Sequence, residues 1–148
     1  MESFFAQMYL DIQERIKTEV PEIRWIEQDF GQEVYDQWRP NVDFPAALID
    51  FPDATYEAQS GTGQFATTQI GIRLFFAPFC QSYEAAPVEV KQEALQYFEV
   101  EQKVVNALHG WEPAGGYCQK LIRERAASNN RNDITILACS IKIMLHRI

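Results

Sequence analysis

The stretch that decides the fold is QSGTGQFATTQIGIRLFF, residues 59–76. Its two glycines, Gly61 and Gly63, raise the question of a phosphate-binding turn, which requires a helix directly after it so that free backbone N–H groups face the phosphate. The residues that follow alternate with a period of two instead, and one side of that pattern carries Thr68, Ile70, Ile72, Leu74 and Phe76. This alternation predicts a β-strand over 64–76. We therefore interpret the glycines as a hairpin tip and expect no cofactor.

The residues before this strand predict its partner. Residues 46–51 read AALIDF and indicate a strand that ends at Pro52, followed by a long polar loop over 53–63. The two strands are expected to form a hairpin. Nearer the N-terminus, apolar residues spaced three and four apart predict a helix over 4–20 with Ser3 as its N-cap, and a short strand lies within 22–28.

The second half of the chain predicts one long helix and a second pair of strands. The helix runs from Pro87 to about Leu108, with Gly110 as its C-terminal stop. Strands over 118–125 and 133–147 flank a turn-forming cluster at 126–132 and are expected to pair antiparallel. Because the last strand is apolar on both sides near its start, it is expected inside a sheet rather than at its edge.

The element order α-β-β-β-α-β-β predicts an α+β fold. We expect a mostly antiparallel sheet of about five strands, with two main helices packed on it, in a single domain spanning residues 1–148. A chain of this length buries enough apolar surface to fold without disulfides or metals. Its three cysteines form no C-x-x-C pair and only His109 and His146 could add imidazole ligands, so no metal site is expected.

Charge and hydropathy exclude two further classes of partner. The net charge of −8 opposes the neutralisation of phosphates that dominates nucleic-acid affinity, so no specific nucleic-acid binding is expected. The most apolar window, 134–145, is too short for a membrane span. The N-terminal residues lack a basic leader and an unbroken apolar run, which favours a cytoplasmic protein without membrane contact.

Two residues are candidates for a catalytic role. Cys118 follows Gly115, Gly116 and Tyr117, and could act as a nucleophile with His109 or His146 as base, although a cysteine that opens an apolar strand is usually a small buried hydrophobe. Glu101 falls near the middle of the apolar face of the second helix. It could pair with Arg73 or Arg123, reach water through a slight shift of that face, or serve as a catalytic carboxylate; we favour the first two. No catalytic residue and no enzymatic activity are expected.

A binding surface is the remaining interpretation of the polar segments. An aromatic residue beside a polar loop is typical of protein interfaces, and the Asn/Arg-rich turn offers a second such segment. The candidate interface residues are Tyr56, Gln59, Ser60, Thr62, Asn129, Asn130 and Arg131.

The chain resembles the tail-terminator, or tail-completion, proteins of bacteriophages and prophages, including prophage minor tail proteins. The resemblance covers nearly the whole chain and rests on segments in order: an opening helix that ends in TEVPEIRWI, then FPAALIDF, TTQIGIRLFF, EVEQKVVNALHG, CQKLIRERA and DITILACSIKIML. It implies a structural subunit that forms a hexameric ring with itself, caps the tail tube and joins it to the head-neck proteins. Assembly would occur in the host cytoplasm, and the protein would end in the virion tail.

The resemblance also gives the polar segments a role, since the 53–63 loop and the turn at 128–132 would meet neighbouring subunits or the tube. An acidic channel wall would let DNA pass without binding it. Two alternatives stay open. One is another head-tail connector or neck protein, and the other is a small cytoplasmic enzyme or ligand-binding domain that uses Cys118 and Glu101.

Overall fold

The structure, a computed structural model, describes residues 3–31, 43–58, 61, 63–77, 82–131 and 134–145. Within these residues the fold is α+β, as predicted, with three helices and a five-stranded sheet of order β1-β2-β3-β5-β4. The elements in chain order are α1 (Phe4–Glu19), β1 (Trp25–Gln28), β2 (Ala46–Ala58), β3 (Gln64–Phe76), α2 (Val88–Ala94), α3 (Gln96–Leu108), β4 (Ile122–Arg131) and β5 (Ile134–Leu145).

Helix α1 forms where the apolar spacing predicts it. The Ser3 hydroxyl accepts a hydrogen bond from the Ala6 N–H at 3.3 Å, which satisfies one of the free donors of the first turn. Three residues on its apolar stripe are fully buried, Met8, Ile12 and Ile16. The helix ends at Glu19, one residue before the predicted end, and Pro21 follows.

The sheet is mixed rather than purely antiparallel. Strand β1 pairs parallel with β2, whereas the β2–β3, β3–β5 and β5–β4 pairs are all antiparallel. As expected from its two apolar sides, β5 lies inside the sheet, between β3 and β4. Its Leu137 is buried toward the helices, while the neighbouring Ile136 is buried on the opposite face.

Both predicted polar turns are shorter than expected, because the strands continue into them. Strand β2 does not end at Pro52 but runs to Ala58, so the predicted 53–63 loop is wrong over 53–58. Pro52 lies in a register shift between Asp50 and Asp53, where the missing N–H costs no ladder hydrogen bond. The turn predicted at 126–132 is likewise wrong over 126–131, since pairing with β5 overrides the local turn preference.

The predicted long helix is two helices. Leu95 interrupts it with φ −97° and ψ 2°, and its N–H bonds to the carbonyls of both Lys91 and Gln92. Helix α3 ends at Leu108, and Gly110 adopts φ +79° close to its end, as the C-terminal stop signal indicates. The strand predicted from 118 starts only at Ile122.

Helices α1 and α3 pack on one face of the sheet and form the main core with it. The opposite face holds a small buried cluster of Ala46, Leu48, Phe75 and Ile136. Farther toward the hairpin end, that second face is exposed, and Phe65, Ile122 and Met144 stand on it. Among the described elements, helices therefore cover only one face of the sheet.

Candidate functional site

The β2–β3 hairpin confirms the interpretation of the two glycines. Ala58 pairs with Gln64, and Gly61 between them has φ +77°, which only glycine adopts without strain. Tyr56 lies in β2, not in a loop, where it pairs with Ala66 and keeps half of its side chain exposed. The other three candidate residues of this segment, Gln59, Ser60 and Thr62, lie outside the described residues.

The second candidate segment lies at the other end of the sheet. Asn129 of β4 pairs with Ile136 of β5, Ile136 pairs with Phe75 of β3, and Phe75 pairs with Ala46 of β2. Asn129 therefore lies in the same row of the sheet as the start of β2. Tyr56 is ten residues beyond Ala46 along β2, or about 33 Å at the usual rise of 3.3 Å per residue. Asn130 and Arg131 follow in β4, opposite Thr135 and Ile134. The structure therefore does not gather the described candidate interface residues into one patch.

Cys118 has the environment of a core residue. Burial raises the pKa of its thiol to about 12, and the negative charges of Glu112 and Asp11 add to the effect. The thiol therefore stays protonated at neutral pH, whereas a nucleophile needs the thiolate. The Nδ1 atom of His109 accepts a hydrogen bond from the Arg123 N–H at 3.0 Å. His146, the other candidate base, lies outside the described residues.

Glu101 is half-buried at the border of the helix face, so the small shift toward water is the alternative that fits its exposure. It forms no ion pair or hydrogen bond with another residue of the described ranges, and the predicted pairing with Arg73 is wrong because Arg73 is bound to Asp29. Arg123 lies near Cys139. A half-buried carboxylate that has no acid or base partner among the described residues forms no acid-base pair there.

A network on the second face of the sheet was missed by the sequence analysis. The Arg73 guanidinium holds both carboxylate oxygens of Asp29, at 2.6 and 2.7 Å. Asp50 lies beside this pair, and burial together with the Asp29 charge raises its pKa. The available signal was the position of Arg73 on the side of β3 opposite its buried residues. Since the guanidinium is engaged with a carboxylate, the network is a structural tie between strands rather than a catalytic group.

An open groove of about 400 Å³ lies between the start of α1 and the end of β1. Its lining is mainly apolar and consists of Ser3, Phe5, Ala6, Tyr9, Leu10, Gln28 and Phe51. The rings of Phe5 and Phe51 pack at 5.4 Å, and Leu10 is exposed, as its position off the apolar stripe predicts. None of the described residues of this lining carries a carboxylate, thiol or imidazole.

Neither a metal centre nor a membrane helix is found in the described ranges. No group of three or more His, Cys, Asp or Glu side chains is arranged there to hold a metal ion. None of the helices in this part of the chain has both the length and the apolar character needed to cross a bilayer.

Comparison with known proteins identifies a similar fold. No protein family model matches the chain. No curated protein matches it either. Among solved structures, it is similar to a chain from the virion of a native gene transfer agent (GTA) particle, with a TM-score of 0.55 and 12% sequence identity. The match covers 99% of both chains, so the two proteins share a fold over their full lengths.

Proposed function

We propose that this protein is a structural subunit of a phage-related virion, and specifically a tail terminator whose ring caps the tail tube and joins it to the head-neck. The observation that carries the proposal is the likeness to a GTA virion chain over 99% of both chains. A match of this extent spans nearly the whole of both chains rather than one local motif. It supports the same class of protein that the order of sequence segments suggests.

The geometry of the candidate residues supports a structural role. Burial raises the pKa of the Cys118 thiol, His109 is hydrogen-bonded by a backbone N–H, and Glu101 has no ion-pair or hydrogen-bond partner among the described residues. None of these described candidates for an enzyme has the environment that its chemistry requires. His146, the fourth candidate, lies outside the described residues. The net charge of −8 suits a channel wall past which DNA moves without binding.

The proposal is tested by the state of assembly and by the position in the particle. Mass measurement over a wide concentration range is expected to give a hexamer, and negative-stain microscopy is expected to show closed rings. Added to isolated tail tubes, the gold-labelled protein is expected to decorate one end only. A protein that stays monomeric at every concentration and leaves tube ends bare would refute the proposed function.

The same labelling distinguishes the tail terminator from a second virion role. The similar structure belongs to a virion, which also suits a head-tail connector or neck subunit. Label at the head side of the junction, with tube ends undecorated, would favour the connector. We further propose that assembly occurs in the host cytoplasm, before incorporation into the tail.

A further inference from the structure

The outer edge of β4 is exposed over most of its length. The strand pairs with β5 on one side, and no described strand pairs with it on the other. Near its start, neighbouring groups cover the edge, because the Leu121 N–H bonds to the Trp111 carbonyl and the Arg123 N–H to His109. From Arg125 to Asn129 every side chain is exposed. Such an edge is a template for pairing with another chain.

A second outer edge lies diagonally across the sheet. Strand β1 pairs with β2 only along Ala46–Ile49, so no described strand lies beside β2 beyond that point. From Asp53 to Ala58 every side chain except that of Ala54 is exposed. Within the described residues, the sheet therefore has two long outer edges, one on each side.

The exposed parts of the two edges carry opposite charges. On β4, Arg125 lies opposite Ser140, and its side chain is exposed. On β2, Asp53 and Glu57 are both exposed, and they pair with Gln69 and Phe65 of β3. No basic residue lies between 50 and 58. Opposite charges that face each other across two strands stabilise the pairing, whereas like charges oppose it.

The strand directions are compatible with antiparallel pairing of β4 with β2 between two copies in the same orientation. Because the β2–β3, β3–β5 and β5–β4 pairs are all antiparallel, β2 and β4 run in opposite directions. A neighbouring copy in the same orientation therefore presents its β2 antiparallel to this β4. Contacts of this head-to-tail kind generate rings when the rotation between copies closes. Pairing of β4 with a second β4 would instead bring two basic edges together.

We propose that the outer edge of β4 in one copy pairs antiparallel with the outer edge of β2 in the next, along Asp53–Ala58, with Arg125 opposite Glu57. The partner is thus a second copy of this chain, and the two sheets become continuous. This inference rests on the proposed ring and names the surface through which its subunits join. In this register Thr55 and Ala127, both exposed, are directly opposite each other.

Cysteine cross-linking tests the register. In a Cys80→Ser background, Thr55→Cys and Ala127→Cys proteins are mixed and oxidised, since directly opposed residues have Cβ atoms only about 5 Å apart. The mixture is expected to give a disulfide-linked dimer, and the double variant a ladder of linked oligomers. Either single variant alone is expected to stay uncross-linked. Ser128→Cys mixed with Thr55→Cys is the matched control, because Ser128 is exposed on the opposite face and should link poorly.

A charge swap gives a second, independent readout. Arg125→Glu is expected to raise the concentration for half-assembly about tenfold or more, and Glu57→Arg added to it should restore assembly. Lys17→Glu, an exposed change of the same charge on α1, is expected to leave assembly unchanged.

The outcomes separate this inference from the proposed function. If the protein forms rings but Thr55→Cys and Ala127→Cys do not link, the edge pairing is overturned while the ring stands. A disulfide-linked dimer of Ala127→Cys alone would also overturn it, in favour of a symmetric β4 contact. If the edges link but the protein does not bind tube ends, the pairing holds and the virion role fails.

Discussion

Arg73 in the central strand β3 reaches across β2 to bind Asp29, which lies just beyond the end of the edge strand β1. The guanidinium meets both carboxylate oxygens, at 2.6 and 2.7 Å. The Asp29 side chain is only 7% exposed and that of Arg73 27%, so solvent screens the pair incompletely. Asp29 also accepts a hydrogen bond from the Gly31 N–H, and its own N–H bonds to the Ile49 carbonyl. The short parallel strand is thus tied to the middle of the sheet by a two-point ion pair.

Asp29→Asn is expected to lower the free energy of unfolding by about 2 kcal/mol at pH 7, because the half-buried guanidinium of Arg73 loses its two charge-assisted hydrogen bonds to Asp29. Urea unfolding followed by circular dichroism measures the loss. Asp43→Asn, at an exposed position, is the matched control and should change stability little. Equal stability of the Asp29→Asn protein and the parent would mean that the ion pair contributes nothing.

The same variant predicts a pH dependence. Burial alone would raise the pKa of Asp29, but the hydrogen bonds from Arg73 and Gly31 hold it below its ordinary value. A lowered pKa in the folded state gives stability that is present above the unfolded value of about 3.9 and is lost as pH falls through the folded value. The stability difference between parent and Asp29→Asn should therefore shrink on acidification below about pH 4. A difference that stays constant down to pH 2 would contradict this origin.

Periodicity predicted the elements whose burial is one-sided and regular. The apolar stripe of α1 predicted a helix, and the alternation of β3 predicted a strand, because one face of each element is buried without interruption. The extension of β2 past Pro52 was missed, since a proline usually ends a strand and nothing local reveals a register shift that tolerates it. The sequence prediction ended strand β4 too early, at residue 125, for a similar reason. Its small and polar residues favour a turn until β5 lies beside them.

The polar contacts were harder to predict than the elements. A helical wheel placed Glu101 on the apolar face and suggested Arg73 as its partner. Arg73 lies on the opposite side of the sheet from that helix, however, and it forms an ion pair with the turn residue Asp29. Which polar residue meets which depends on strand order and on the parallel addition of β1, and one sequence does not encode these locally. The surfaces that join copies depend on the same long-range order.

A side chain at Gly71 is expected to force the Asp50 carboxylate to move. A Cβ atom at this position would lie 2.3 Å from the Asp50 carboxylate Oδ1 atom, far inside van der Waals contact. Gly71→Ala should therefore cost about 1–3 kcal/mol of unfolding free energy, because the half-buried carboxylate must move. In Asp50→Ala the oxygen is gone, so adding Gly71→Ala should cost clearly less. A double-mutant cycle by urea unfolding measures this coupling, and strictly additive effects would contradict the contact.

Tyr117 fastens the loop before β4 to helix α1. Its hydroxyl donates to Asp11, and its ring packs against Phe4 with centroids 6.0 Å apart. Tyr117→Phe is expected to lower the free energy of unfolding by about 1 kcal/mol. This is small for the loss of a hydrogen bond to a charged group, because Asp11 keeps the hydrogen bond that Gln7 donates. Thermal unfolding at pH 7 measures the change.

The loss of stability at alkaline pH tests the same hydrogen bond between Tyr117 and Asp11. Burial raises the pKa of Tyr117, and the hydrogen bond to Asp11 raises it further. A raised pKa in the folded state gives stability that is complete below the unfolded value of about 10 and is lost as pH rises toward the folded value. The parent should therefore lose more stability than Tyr117→Phe between pH 9 and about pH 11. Parallel curves for the two proteins would exclude this role for the tyrosine.

Cys118 and Cys139 are expected to resist modification while the protein is folded. Burial raises the pKa of both thiols, to about 12 for Cys118, and both side chains are buried in the core. The thiolate is the reactive form, so both exposure and ionisation work against reaction. In a Cys80→Ser background, a chromogenic disulfide reagent at pH 8 should label neither residue within the time that labels both in 6 M urea, a contrast of at least about a hundredfold in rate. Fast labelling of Cys118 in the folded protein would revive the nucleophile hypothesis, because only an accessible, ionised thiol reacts at that rate.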